Sequence, residues 1–276
     1  MIDPGLLVSD PFVTPIGVPE KVFGVGPIEI VGAGARSRMT TAGWMHGEDG
    51  RPTPGPLGLL VDDVVGQATL CACPAGRWPV TTELSIDVVA PMPGPGTELE
   101  VSSTLAAADP TTGTGRGEVW TAGGLLALGT VWTRNTPATP GPAAVEPDAD
   151  DALEHARAST TVRALLDASL SHEDGRTTMA LPPGPVVANA TGNGHGGVLA
   201  CAAEVTAAAA VHGPEHPLVT SGLRVTFLRP AVLDGGLTFT ADVVHRGRAL
   251  SLVHVTVWRA DGRRCATASV IGRAAP

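Results

Sequence analysis

The stretch Val219-Thr-Ser-Gly-Leu-Arg-Val-Thr-Phe-Leu-Arg-Pro230 aligns with Val80-Thr-Thr-Glu-Leu-Ser-Ile-Asp-Val-Val-Ala-Pro91 at an offset of 139 residues. A second motif, Trp258-x-Ala-x-Gly262, repeats Trp120-x-Ala-x-Gly124 at an offset of 138, in the same order along the chain. Ordered matches at nearly one offset indicate an internal repeat. The sequence therefore predicts two copies of one module of about 120 residues.

Each copy contains one apolar segment of helical length, followed by strand-like runs. The helices are predicted at about Leu57–Cys71 and Val198–His212, each after a short β-prone piece, Arg36–Thr41 or Thr177–Asn189. Gly, Pro and Asp turns delimit predicted strands at residues 80–89, 98–107, 116–122, 125–133, 218–228, 237–246, 249–258 and 263–272. The connections are too short for crossover helices, so the strands are predicted to be antiparallel. The predicted fold class is α+β, with two tandem modules in which an antiparallel sheet wraps a central apolar helix.

Composition shifts divide the chain into four segments. We predict an irregular lead-in over residues 1–25, a first module over 26–135, a Pro/Ala/acidic linker over 136–150 and a second module over 151–276. An amphipathic helix at about 151–171 is predicted to open the second module.

Composition also excludes several classes of protein. With 276 residues, 43% of them hydrophobic, the chain can bury a core and is not expected to be disordered. A formal net charge of −9 without a Lys/Arg run argues against a nucleic-acid partner. No apolar run long enough to span a membrane and no signal-peptide pattern occur, so we expect a soluble, cytoplasmic protein. The four Cys form no CxxC pair, which argues against a disulfide framework or a metal site.

Acidic residues interrupt both apolar helices. Glu204 and Thr206 are the only polar residues between Val198 and Val211. Burial of a carboxylate is costly and raises its pKa toward the range of a general base, unless Glu204 instead faces water. The first helix carries Asp62 and Asp63 in the same setting. Adjacent helical residues point about 100° apart, so only one of the two is expected to face inward, and the small residues one turn on favour Asp62.

A glycine-rich loop precedes the second helix and reads Asn189-Ala-Thr-Gly-Asn-Gly-His195-Gly196-Gly197. Free backbone N–H groups at a helix start, approached closely through glycine, can stabilise an oxyanion. His195 and Asn189 could orient a carbonyl or a water. The loop also spells GxGxxG, but a dinucleotide site requires a parallel strand after the helix, and the strands here are predicted to be antiparallel.

The pattern Asn189-x5-His195-Gly-Gly-x6-Glu204, followed by Val219-Thr220-x9-Pro230, resembles the hotdog-fold acyl-CoA thioesterases of the phenylacetate-pathway type. The resemblance covers copy two from about residue 177 to 272. Copy one is similar in its helix and strands, but Thr53-Pro-Gly-Pro56 stands in place of His-Gly-Gly. The whole chain therefore resembles a tandem, or double, hotdog.

The resemblance implies an active site between modules, with the His-Gly-Gly loop of one copy facing the acidic helix of the other. Asn189, His195 and the amides of Gly196 and Gly197 would then face Asp62 or Asp63, and Thr81 would orient the water. The mirror site would pair Glu204 and Thr220 with the Thr53–Pro56 loop and is expected to be weak or inactive.

The expected reaction is hydrolysis of an acyl-CoA without a metal or organic cofactor. One alternative is a double hotdog that binds acyl-CoA without hydrolysing it, because fold does not fix function. A hotdog hydratase or dehydratase is less favoured, since its DxNxxH pattern does not occur. A further homodimer of double hotdogs is compatible with the sequence.

Overall fold

The structure, a computed structural model, describes residues 16–138, 149–211 and 218–274. Residues 1–15 of the predicted lead-in and 139–148 of the predicted linker lie outside these ranges. Over the described residues, no helix has the length and apolar character that a membrane crossing requires.

The two halves of the chain contain corresponding elements in the same order. The first half comprises α1 (Val18–Phe23), β1 (Glu29–Val31), β2 (Gly34–Thr40), α2 (Leu57–Leu70), β3 (Arg77–Val88), β4 (Glu98–Ala108), β5 (Thr112–Thr121) and β6 (Gly124–Pro137). The second half comprises α3 (Asp150–Ala158), α4 (Val162–Leu165), β7 (Ser169–Glu173), β8 (Arg176–Leu181), α5 (Gly196–Val211), β9 (Leu218–Phe227), β10 (Leu237–Arg246), β11 (Leu250–Arg259) and β12 (Arg264–Ala274). All eight strands predicted after the two apolar helices are present, with ends shifted by a few residues.

The twelve strands of the described residues form one sheet in the order β1-β2-β4-β5-β6-β3-β9-β12-β11-β10-β8-β7. Every pairing between neighbouring strands is antiparallel, as predicted. β3 and β9 join the halves at the centre, where Glu83 pairs with Thr226 and Asp87 pairs with Gly222. The repeat offset exchanges these two pairs, so a local twofold axis between β3 and β9 relates the halves.

The two apolar helices, α2 and α5, pack against the sheet and against each other. A Cβ added at Gly197 would lie 2.4 Å from the Cα of Leu59, and one added at Gly58 would lie 2.7 Å from the carbonyl oxygen of Gly197. Glycine at both positions lets the backbones of the two helices touch. Nearly all of α5 is buried, including Glu204, which is 1% exposed, as the apolar pattern predicted.

Three predicted elements differ from the structure. The lead-in is not irregular throughout, because α1 forms within it and buries Val18, Val22 and Phe23. The single helix predicted over 151–171 is two helices followed by β7, because Thr161 starts a new helix by accepting the N–H of Ala164. The β-prone piece 177–189 ends as a strand at Leu181, where two prolines follow that cannot donate to a sheet.

Candidate active site

His195 lies immediately before α5, and backbone hydrogen bonds hold it on both sides. Its N–H donates to the carbonyl oxygen of Val187 at 2.8 Å, and its own carbonyl accepts the N–H of Leu199 at 2.9 Å. The residue is 7% exposed. Its ring contacts side chains of α2, so the site combines residues from both halves.

Two adjacent acids of α2 contact different nitrogens of the imidazole. Nδ1 of His195 lies 3.7 Å from Oδ2 of Asp62, and Nε2 lies 3.2 Å from Oδ1 of Asp63. The prediction that only one of these acids can face the site is therefore wrong. The two side chains do diverge along the helix, but the ring lies between them and presents one nitrogen to each carboxylate.

The carboxylate of Asp62 is also held by β3 and bordered by the start of α5. Thr81 on β3 donates its hydroxyl to Oδ1 of Asp62 at 2.8 Å. In this arrangement Thr81 positions the acid, whereas the resemblance implied that it orients a water. A Cβ added at Gly196 would lie 2.7 Å from Oδ2 of Asp62. Gly196 is the first residue of α5, so its N–H has no partner within the helix.

A third acid, Glu20 of α1, completes the surroundings of His195. Its Oε1 lies 3.3 Å from Nε2 of His195. Sequence reasoning missed Glu20 because it stands in the segment predicted to be an irregular lead-in. The available signal was the short run Val18-Pro-Glu-Lys-Val-Phe23, in which proline near the start and glycine directly after the end mark a helix.

Burial and charge set the protonation of this cluster. Burial raises the pKa of Asp62 and raises the pKa of Asp63 to about 6. Burial alone would lower the pKa of His195, but the carboxylates of Asp63, Glu20 and Asp62 outweigh it and hold that pKa well above the ordinary value. Burial opposes ionisation of Glu20 too, yet its hydrogen bond and charge attraction to His195 lower its pKa. The carboxylates around His195 therefore favour the imidazolium form of its ring.

The protonation of His195 decides where the N–H of Gly197 is directed. That N–H lies 3.1 Å from Nδ1 of His195, where a neutral ring would accept it. The same N–H also favours the ionised form of Asp62 and lowers its pKa. An imidazolium carries protons on both nitrogens and cannot accept. In the structure this N–H donates to Nδ1, and it can turn to Asp62 only when Nδ1 carries a proton.

An acid, a threonine and a glycine amide recur at the position that the repeat makes equivalent, but the histidine is replaced. Thr220 on β9 donates to Oε1 of Glu204 at 2.6 Å, as Thr81 does to Asp62. The backbone N–H of Gly55, just before the opposite helix, also favours the ionised form of Glu204 and lowers its pKa. The acid of each helix is thus held by a threonine of its own half, and a glycine amide of the other half favours its ionised form.

The replacement is Thr53, which stands where the first site has His195. Its hydroxyl donates to Oε2 of Glu204 at 2.5 Å. With Thr220 on the other oxygen, both oxygens of Glu204 are occupied by buried hydroxyls. Burial raises the pKa of Glu204, although these hydrogen bonds oppose the shift. This mirror position lacks an imidazole, and Pro54 stands where the first site has Gly196.

Asn189 is placed in the loop and not beside the acids. Its Oδ1 accepts the N–H and hydroxyl of Thr191 at 2.9 and 2.8 Å and the N–H of Asn193 at 3.1 Å. The side-chain oxygen therefore closes a turn that shapes the approach to His195. These contacts give Asn189 a role in shaping the loop, and its predicted catalytic role stays a prediction.

Glu20, Asp63 and His195 each offer one atom that could bind a metal, and these three atoms lie within 4.8 Å of one another. Such a donor set suits a divalent cation in principle. In this cluster the imidazolium already supplies a positive charge to the carboxylates. The three residues come from three distant segments, so metal-ligand spacing in the sequence could not reveal them.

The arrangement suits the hydrolysis of an activated acyl group. It places a buried carboxylate with a raised pKa, that of Asp62, against Gly196, whose N–H has no partner within the helix. A carboxylate of this kind can accept a proton from water, and a free N–H can bind the oxyanion that forms when water attacks a carbonyl. The ring of Phe227 borders the same point, with its Cζ 3.4 Å from a Cβ added at Gly196.

Comparison with known proteins gives a family match for part of the chain and similar folds for most of it. Residues 191–266 match the family model of the Thioesterase superfamily. No curated protein matches the sequence. The fold is similar to that of a tesB protein from Mycobacterium avium subs paratuberculosis (16% identity, TM-score 0.61, 90% of this chain and 96% of that one). It is also similar to an acyl-CoA thioesterase II, TesB2, from Mycobacterium marinum (13%, 0.58, 92% and 96%).

A third solved structure carries the fold name itself. It is a conserved protein with a hot dog fold from Alicyclobacillus acidocaldarius (14% identity, TM-score 0.59, 90% of this chain and 96% of that one). At these identities the likeness shows the fold. The predicted resemblance to hotdog-fold thioesterases and the predicted α+β double hotdog architecture are confirmed.

Proposed function

We propose that this double hotdog is a thioesterase that hydrolyses an acyl-CoA to a free acid and CoA at one site between its two halves. The observation that carries the proposal is the meeting of His195, from the glycine-rich loop of one half, with Asp62, from the helix of the other. Only this one of the two pseudo-equivalent positions combines an imidazole, an acid and a glycine N–H at a helix start.

In the proposed reaction, the thioester carbonyl oxygen binds the N–H of Gly196. Asp62 accepts a proton from water, whose oxygen attacks the carbonyl carbon and forms a tetrahedral oxyanion. The carbon–sulfur bond then breaks, and the thiolate of CoA leaves and takes up a proton. The imidazolium of His195 stabilises the negative charge that develops beside it, and Thr81 keeps the carboxylate of Asp62 in place.

The two acids provide a matched test, because they occupy equivalent positions and are both buried. Asp62→Asn should lower kcat by about 10²–10⁴, the range expected when a general base is removed. Glu204→Gln should leave kcat within a few-fold of the wild-type value. Turnover is measured as CoA release with a thiol reagent across short-chain, medium-chain, long-chain and aryl acyl-CoAs, and thermal unfolding verifies that both variants fold.

A loss confined to Glu204→Gln would overturn the assignment of the site. No turnover on any of these acyl-CoAs, together with tight binding of a non-hydrolysable acyl-CoA analogue, would replace the hydrolase with an acyl-CoA-binding protein.

A further inference from the structure

A surface groove of about 780 Å³ lies at the end of β9 and is lined by three arginines, a tryptophan and a leucine: Leu228, Arg229, Trp258, Arg263 and Arg264. Three cationic side chains around one groove stand out in a chain whose formal net charge is −9. The site between the two helices uses none of these residues.

Backbone and side-chain contacts fix the shape of this arginine groove. Arg229 donates from Nη1 to the carbonyl oxygen of Arg264 at 2.8 Å, which holds its guanidinium against β12. The guanidinium of Arg264 lies over the indole of Trp258, 5.3 Å from the ring centroid. A carboxylate borders the groove as well, since Asp261 pairs with Arg259 at 3.0 Å and reaches Arg263 only at 3.9 Å.

The arginines of the groove are not repeated at the equivalent positions of the first half. In β12, Arg264 pairs with Trp258 of β11, and the corresponding pair in the first half is Leu125 with Trp120. The N–H of Arg229 donates to the carbonyl oxygen of Cys265, the residue after Arg264. In the first half the N–H of Ala90 donates in the same way to Leu126, the residue after Leu125, so Ala90 corresponds to Arg229.

By the same register, Gly124 corresponds to Arg263. The tryptophan is present in both halves, whereas all three arginines are replaced by Ala, Gly and Leu in the first. The positive charge is thus specific to one half.

This charged half is also the one that supplies the imidazole. Phe227, the last residue of β9, borders Gly196 at the start of α5. Leu228 and Arg229 follow directly, so the backbone of Arg229 lies at most about 7 Å along the chain from that of Phe227. One strand end therefore connects the site of the reaction to the groove, and the mirror position, without the imidazole, also lacks the arginines.

We propose that the arginine groove binds the phosphates and the adenine of CoA, and so selects CoA as the carrier of the acyl group. The proposal rests on the thioesterase function proposed above. Guanidinium groups bind phosphate oxygens in paired hydrogen bonds, and their flat faces stack on aromatic rings. The Arg264–Trp258 pair offers such a flat surface for a purine, while Arg229 and Arg263 provide charge for phosphates.

The competing carrier is an acidic acyl carrier protein, which would present carboxylates to the same arginines. A protein partner would have to approach a chain with a net charge of −9 over a broad surface, whereas a nucleotide needs only the groove. The observations therefore favour the nucleotide, and the carrier protein becomes an outcome of the test.

The test compares two triple variants that change the net charge equally. In one, Arg229, Arg263 and Arg264 are replaced by Ala; in the other, the exposed Arg116, Arg157 and Arg246 are replaced by Ala. Binding of CoA and of adenosine 3′,5′-bisphosphate is measured by titration calorimetry.

The groove variant should bind both ligands about 30-fold more weakly, at about threefold for each exposed ion pair, and the control should stay within twofold. Trp258→Ala should weaken binding of the bisphosphate, and Trp120→Ala should not.

Hydrolysis separates this proposal from the function on which it rests. For the groove variant we expect a raised KM for acyl-CoA with unchanged kcat, and unchanged hydrolysis of an S-acyl-N-acetylcysteamine, which lacks the nucleotide. Unchanged affinity for CoA in the groove variant would overturn the proposal, as would a defect limited to an acyl carrier protein substrate. Binding of the bisphosphate through the arginines without any thioester hydrolysis would refute the thioesterase function and leave the groove assignment intact.

Discussion

Replacing Gly196 by proline removes one backbone N–H from the site while leaving α5 able to form. Proline is favoured at the first position of a helix, where the N–H has no intrahelical partner. The N–H removed is the one assigned to the thioester oxygen. Loss of one oxyanion donor typically lowers kcat by about 10²–10³, so Gly196→Pro should nearly abolish turnover.

Any side chain at this position also disturbs the acid, so the matched control is Gly196→Ala. Alanine retains the N–H but adds the Cβ that would lie 2.7 Å from Oδ2 of Asp62 and 3.4 Å from Cζ of Phe227. The end of the Asp62 side chain must shift, which we expect to lower kcat by about tenfold, equivalent to about 1.4 kcal/mol.

The assay is CoA release at saturating acyl-CoA for the wild type and both variants, with thermal unfolding curves as a check on folding. The contribution of the N–H is the ratio of the alanine rate to the proline rate, expected at about 10²–10³. Equal rates for the two variants would refute the oxyanion assignment, because the loss would then come from the displaced acid alone.

Three further predictions concern pH and packing. Asp63→Asn removes a carboxylate that raises the pKa of His195, so the alkaline limb of the pH profile of kcat/KM should move to lower pH. An unmoved limb would show that the rate does not depend on the protonation of His195. The pKa of Glu204 is raised in the folded state, so its contribution to stability falls as pH rises from 4.5 through that raised value. Over this pH window the unfolding free energy of Glu204→Gln, measured with urea, should increase relative to that of the wild type. A constant difference between the two proteins would contradict this prediction. Gly197→Ala would place a Cβ 2.4 Å from the backbone of the opposite helix, so it should lower the unfolding free energy by about 3 kcal/mol or more. The control is Gly66→Ala, which has open space around it and should raise the unfolding free energy by about 0.5–1 kcal/mol.

Much of the fold could be predicted because its signals are local. Strand alternation and Gly/Pro turns place β9 within one residue of its observed ends, and the apolar run places α5 within two. The repeat supplied the long-range information, since two copies related by one offset imply a symmetric pairing of modules. This symmetry is what allowed the resemblance to imply contact between His195 and Asp62, residues 133 positions apart.

The residues that sequence reasoning missed depend on tertiary approach. Glu20 reaches the imidazole only because α1 buries an apolar face against the core, and no spacing in the sequence connects α1 to α5. The pair of acids was misjudged for a related reason. Helical geometry fixes the angle between Asp62 and Asp63, but it does not say what lies between them, and a ring with two nitrogens satisfies both.

The two halves contribute different residues to the candidate site. The second half supplies the imidazole, the glycine amides and the arginines, yet in this chain the acid that faces them, Asp62, and its threonine come from the first half. The twofold relation means that two copies of the second half alone would place Glu204 opposite His195. A glutamate has one more methylene than an aspartate, so its carboxylate would extend further toward the start of the opposite helix, where a Cβ at Gly196 would already lie 2.7 Å from Oδ2 of Asp62. The first half carries Thr53-Pro-Gly-Pro56 in place of a His-Gly-Gly loop, and its contribution to the proposed site is the shorter acid, Asp62.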